Sequence, residues 1–384
     1  MPPDATEIIV FIALVLGFAL AFAPAQSPRR SLLVRGGTGL AGTVAIAAVP
    51  TFDLAILVLL TLGVLHAAAG GKRAFAIRLR APLLAVAMLA LAVVLARVEG
   101  PDVLARFAAV GLVAGLAAGI GLLPYLHPFD ADDAAASSPV AWIAFIGPVL
   151  AAVVVARAQG LLTADAGGAF GAMLIGLGLL NMAWGGIATW LTESTTAAWR
   201  YSFIADWGLA LCGIGLTVSD GRRGALLVLL TIVLGRLPLY LVFRQAAAAK
   251  TATERPVNLV VAAMLAGSAP FAGFAARVLL LRGATQLYWP LALVLAAGML
   301  LWLPGSLRLG RSIGAPRRRQ ALGVALMLAA NIGAGLYPLP LLEAARLWSR
   351  SCPGSRPTLW RCSCIRASPP WSRLALSSSC CGCA

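Results

Sequence analysis

Apolar positions along this chain come in long unbroken runs rather than in alternation. From Glu7 to about Trp348, roughly twelve segments are long enough for a membrane helix, which needs about 20 mostly apolar residues. Stretches such as Leu83–Ala96 and Leu226–Leu234 do not alternate apolar with polar, so barrel strands are excluded and helices are predicted. The predicted spans are approximately 7–25, 32–50, 53–70, 82–97, 103–123, 139–156, 168–191, 200–218, 223–243, 257–281, 286–304 and 320–341. The second is Gly-rich and carries Arg35, so eleven or thirteen spans would also fit the pattern. The expected fold class is an all-α integral membrane protein, a polytopic bundle of about 12 transmembrane helices, some of them broken.

Composition reinforces this picture. Hydrophobic residues are 60% and charged residues 11% of the 384, and the mean hydropathy is +0.91. A soluble protein would need more charge to coat such a core. The acidic flank at Asp4 and Glu7 argues against a cleaved signal peptide over the first run. No soluble domain fits between spans. The longest polar connections read as Lys72–Arg80, His127–Ser138, Gln245–Pro256 and Arg308–Arg319.

The formal charge of +16 is carried almost wholly by arginine, Lys72 and Lys250 being the two lysines. Nucleic-acid binding is not expected, because the arginines fall in short loops as positive-inside orientation requires. With twelve spans, Arg29, Arg30, Lys72, Arg73, Arg78, Arg80, Arg244, Lys250, Arg255, Arg308, Arg311 and Arg317–Arg319 share one side. That side is assigned to the cytoplasm, which leaves both termini non-cytoplasmic. The expected location is a bacterial inner membrane, crossed many times.

The polytopic domain is expected over residues 1–348. Residues 349–384 differ in kind and hold six of the seven cysteines. Three readings of this tail compete: a metal site on Cys362-Ser-Cys364 and Cys381-Gly-Cys383, a disulfide-stapled outer segment, and a disordered or frameshifted terminus. The first lacks the usual two-residue spacer and any nearby histidine. The third is favoured, because hydropathic periodicity stops abruptly there.

Three separated motifs carry a resemblance. The first is Gly121-Leu-Leu-Pro124-Tyr-Leu-His127, followed by Asp133-Ala-Ala-Ala-Ser-Ser-Pro139-Val140. The second is Arg200-Tyr201-Ser202-Phe203-Ile204-Ala205-Asp206-Trp207-Gly208, and the third Ala269-Pro270-Phe271-Ala272-Gly273-Phe274-Ala275-Ala276-Arg277. In order and spacing they resemble the antiporter-like proton-channel subunits of NADH–quinone oxidoreductase, multisubunit sodium/proton antiporters and membrane-bound hydrogenases. The resemblance covers about residues 100–310. It implies broken helices, sister membrane subunits as partners, and electron transfer located elsewhere in the assembly. Such subunits usually have about fourteen spans, so two are missing here.

The resemblance also implies lysines that relay protons, and these are absent. Their places fall at Gly119, at Val149 or Leu150, and near Thr196. At the third motif the basic charge is kept as Arg277, but a guanidinium does not release its proton. The candidate ion-path or structural ion-pair residues are therefore Asp206, Arg236, Arg277 and His127. Asp206 and Arg236 are expected to pair across helices, with Arg200 a rival for Asp206 and a purely structural pair the plainer reading. His127 more simply occupies a wet helix end beside Asp130, Asp132 and Asp133.

Pro148, Pro238, Pro270 and Pro290 are expected to interrupt spans, with Pro148, Pro270 and Gly273 the broken-helix candidates. Gly115–Gly119 and Gly176-Leu-Gly178 fit close helix packing better than phosphate binding. Two histidines cannot assemble a metal or haem site, so no cofactor and no metal is expected. The expected function is a diverged antiporter-like membrane subunit with proton translocation weakened or lost. The alternative is a stand-alone secondary transporter, in which Arg236 would bind an anion.

Overall fold

The computed structural model describes residues 51–68, 72–98, 102–126, 162–236, 239–240, 242–243, 256–314 and 318–340, with single residues 41, 45, 49 and 343. Every regular element among them is helical. In chain order these are α1 (Phe52–Ala68), α2 (Lys72–Arg97), α3 (Asp102–Ile120), α4 (Ala164–Leu191), α5 (Thr195–Gly215) and α6 (Ser219–Thr231). After α6 a π-helical turn runs over Ile232–Arg236. Then come α7 (Val257–Leu265), α8 (Ala272–Leu287), α9 (Trp289–Arg311) and α10 (Arg318–Leu336). The predicted spans 7–25 and 139–156, nearly all of 32–50, and the tail 349–384 lie outside the described residues.

The protein is a polytopic helical membrane protein. Phe75–Arg97, Val103–Ile120, Asp165–Leu191 and Trp289–Arg311 are each long and apolar enough to cross a bilayer. Their outer faces stay apolar: Trp190, Leu191, Trp289, Leu293 and Leu300 are all more than half exposed. A soluble fold would not leave so much apolar surface in contact with water. By contrast α5 is buried almost throughout from Ala198 to Gly215, so this helix carrying Arg200 and Asp206 runs through the bundle interior.

Two boundaries differ from the sequence expectation. The segment Lys72–Arg80 belongs to the start of α2 rather than to a connection. Arg308 likewise lies inside α9. The predicted span 257–281 is broken, as expected around Pro270, into two helices, α7 and α8, separated by six residues.

The tightest seam joins α4 and α5. On α4, Gly171, Gly178 and Gly185 recur every seventh residue; on α5, Gly208 and Gly215 do the same. The helices run antiparallel, so Gly171 meets Gly215 and Gly178 meets Gly208. A Cβ at Gly208 would lie 2.4 Å from the Met182 nitrogen and 2.5 Å from the Gly178 oxygen. Backbones this close gain the dispersion contacts that hold helices together in lipid. Of the stripe Gly176-Leu-Gly178 only Gly178 packs in this way, since Gly176 faces open space.

Asn181 of α4, fully buried, ties in the first resemblance motif. Its Oδ1 accepts from the Leu123 N–H at 2.9 Å and its Nδ2 donates to the Leu177 carbonyl at 2.8 Å. At the far end of α4, Arg308 of α9 donates to the Thr189, Trp190 and Glu193 carbonyls. These are the acceptors a helix C-terminus leaves unmatched.

Candidate functional site

The break between α7 and α8 is built by local rules. Gly267 sits at φ +64°, a left-handed conformation that glycine adopts without penalty. Its N–H bonds the Met264 carbonyl, and the Ser268 N–H reaches back to Ala263, both at 3.0 Å. That pair of bonds closes α7 as a Schellman cap. Pro270 follows within the break, where no helical hydrogen bond is required of it. α8 then starts at Ala272, whose N–H donates to Asn331 Oδ1 of α10 at 3.0 Å. Asn331 therefore supplies the N-cap that α8 lacks in its own sequence.

A buried ion pair faces this break. Asp206 sits in the twelfth position of the 21-residue α5, deeper than the expected start at Arg200 would place it. The added length comes from Ser194, whose Oγ accepts from the Ala197 N–H and starts the helix earlier. Arg236 closes the π-turn, a feature common where a helix positions a special residue. Pro238 lies outside the described residues.

Arg236 engages Asp206 through two nitrogens, Nε with Oδ2 and Nη2 with Oδ1, the latter at 2.9 Å. Arg236 Nη2 also lies 3.4 Å from the Leu265 carbonyl, at the negative end of α7. Its guanidinium carbon stands 4.4 Å over the Trp302 ring, and Trp302 Nε1 donates to the same Leu265 carbonyl at 2.9 Å. Arg236 Nη1 is buried with no partner among the described residues.

Arg277 of α8 comes to the same place. Its guanidinium lies over Gly267, where an added Cβ would meet Cζ at 2.7 Å. It is within electrostatic range of Asp206 and Arg236. Together with Thr231, Asn331, Gly267 and Gly273, these three charged residues line a cavity of about 30 Å³. Of the residues predicted from sequence, Asp206, Arg236, Arg277 and Gly273 thus meet at one cavity, and Pro270 lies in the break beside it. His127 and Pro148 lie outside the described residues. Pro290 does not break a span, since it begins α9, where a missing N–H costs nothing. Among the described residues, the prolines inside helices are Pro82 and Pro304. Sequence reasoning missed Asn181, Trp302 and Asn331. The available signal was an uncharged polar side chain standing alone in an apolar run.

The other described carboxylates sit at or near helix ends. Asp220 starts α6 and is held by Arg223 at 3.5 Å, Arg282 at 3.1 Å and Gln286 at 3.1 Å. Asp53 opens α1 and pairs with Arg97. Asp165 opens α4, and Glu193 lies between α4 and α5. Among the described residues, Asp206 is the one carboxylate in the middle of a helix. No group of His, Cys, Asp and Glu there could hold a metal.

These features define a class: a membrane helical bundle with a discontinuous helix and a buried charge cluster at the break. Solved structures share its overall fold. The chain aligns with the membrane-bound sulfane sulfur reductase, an archaeal respiratory membrane complex, at TM-score 0.69 and 17% identity, over 89% of this chain and 66% of that one. It aligns with the Mrp complex from Dietzia sp. DQ12-45-1b at TM-score 0.72 and 16% identity, over 91% and 44%. For respiratory complex I from Thermus thermophilus with bound Aureothin the values are TM-score 0.65 and 17%, over 89% and 86%. The chain thus spans about two thirds and under half the length of the first two. No family model and no curated protein matches the sequence. The chain shares its fold with chains of these membrane complexes.

Proposed function

We propose that this protein is a diverged antiporter-like subunit of a multisubunit ion-translocating membrane complex of the NADH–quinone oxidoreductase type, with its own proton translocation weakened or lost. One observation carries the second half of that reading. The carboxylate found mid-helix among the described residues, Asp206, is clamped by two nitrogens of an arginine that cannot release its proton. A relay needs groups that change protonation and a path of water between them. Here the lysine places hold Gly119, Val149 or Leu150 and a position near Thr196, only Arg277 keeps a basic charge, and a bidentate pair favours one fixed charge state. Asp206–Arg236 then serves to hold α5 against the α6 turn.

In this reading the chain lies in a bacterial inner membrane beside sister membrane subunits, with its Arg-rich connections on the cytoplasmic side and both termini opposite. Solubilisation in mild detergent should recover those sister subunits with the tagged chain. Recovery of the chain alone, together with robust proton flux through it in liposomes, would reverse both halves of the proposal.

The broken helix and the cavity beside it favour a second reading, a stand-alone secondary transporter, in which such a break lines a substrate site. Substrate-dependent uptake by liposomes containing this chain alone separates the two.

A further inference from the structure

The cavity at the break carries an excess of positive charge. Asp206 neutralises one guanidinium, Arg236, and leaves Arg277 over. Among the described residues no carboxylate lies within ion-pair distance of Arg277. An uncompensated cation inside a membrane bundle is costly, and water alone does not neutralise it.

Two further polar side chains at the cavity offer donors as well, whereas the Thr231 hydroxyl gives its proton to the Val228 carbonyl at 2.7 Å. Arg236, only 4% exposed, keeps its Nη1 unmatched. Asn331 has its Oδ1 committed to the Ala272 N–H, which fixes the amide orientation and leaves Nδ2 as the free end. The N-terminal turn of α8, with Gly273 in the cavity wall, adds the positive end of a helix dipole. The opposing negative end of α7 is already occupied, because the Leu265 carbonyl accepts from Trp302 and Arg236.

We propose that this cavity is a binding site for a small monovalent inorganic anion of about the size of chloride, held between Arg277, the Nη1 edge of Arg236 and the Asn331 amide. Size sets the class: about 30 Å³ holds roughly two waters. A monatomic anion fits that space. The bound anion would complete a charge-neutral group of four and lock α7, α8 and α10 around the break. This inference does not depend on the chain being a subunit of a complex.

The test is thermal unfolding of the purified full chain in detergent, at equal ionic strength in sodium chloride, sodium bromide or sodium gluconate. Chloride and bromide should raise the midpoint saturably and gluconate should not. Removing one charge-assisted contact with Arg277→Gln should weaken halide affinity at least about tenfold. Arg277→Lys, which keeps the charge, should retain most of it. Equal midpoints in chloride and gluconate would overturn the proposal, as would wild-type halide affinity in Arg277→Gln. If Arg277→Gln does not accumulate, the chloride–gluconate comparison on the wild-type chain decides alone.

Discussion

The α4–α5 seam and the break between α7 and α8 solve the same problem, holding helices together in lipid, by opposite means. Along the seam, glycines bring two intact helices into backbone contact, and no charge takes part. At the break the helix itself is interrupted, and the backbone groups it frees are satisfied by Asn331, Trp302 and Arg236 from three other elements. The seam depends on what is missing from its side chains; the break depends on polar side chains that each have a defined partner. Substitutions should therefore fail differently: by steric collision at the seam, by orphaned polar groups at the break.

The largest effect is expected at the ion pair. Asp206→Ala leaves Arg236 buried without its counter-charge and should cost about 3–5 kcal/mol. Unfolding of the detergent-solubilised chain by titrated SDS would measure it. Replacing both partners, as in Asp206→Leu with Arg236→Met, should recover most of that loss, since an apolar pair of similar volume is often as stable as a buried salt bridge. A double variant as unstable as the single one would show that the pair does more than cancel its own charges.

Next comes the seam. Gly208→Val places branched carbons where a first Cβ already meets Met182 nitrogen at 2.4 Å. Because the obstacle is backbone, the helices must separate, at a cost of about 3 kcal/mol or more. Asn331→Leu should cost less, about 1–3 kcal/mol, the penalty of one orphaned N–H at Ala272. Hydrogen exchange offers a local check: protection should fall in the first turn of α8 while α4 and α5 keep theirs.

How far each region could be read from sequence follows from the same contrast. Charges inside apolar runs are rare enough to find one another on paper, so Asp206 and Arg236 stood out as a pair. Pro270 and Gly273 marked a break within the apolar run, but hydropathy is blind to backbone hydrogen bonding, so the extent of the break over Ala266–Phe271 and the cap built by Gly267 and Ser268 did not show. Asn331 and Trp302 carry no charge, and their partners are carbonyls and N–H groups that every residue possesses. Nothing along the chain singles those partners out. The basic residues at the start of α2 misled for the reverse reason, since charge at a membrane helix end reads the same as charge in a loop.

The smallest expected effect is the most direct check on the seam. Gly176 and Gly178 are two residues apart on α4 and indistinguishable by composition. An added Cβ meets nothing within 4 Å at Gly176 but lies 2.6 Å from the Gly208 oxygen at Gly178. Gly176→Ala should be neutral or stabilising by up to about 1 kcal/mol, because alanine is the better helix former. Gly178→Ala should destabilise by about 1–3 kcal/mol through overpacking. The two variants share chemistry, helix and depth, so a difference of opposite sign between their SDS midpoints can come only from which face touches α5. Equal shifts would mean that the glycines act through helix propensity, and the close approach of the two backbones would lose its energetic role.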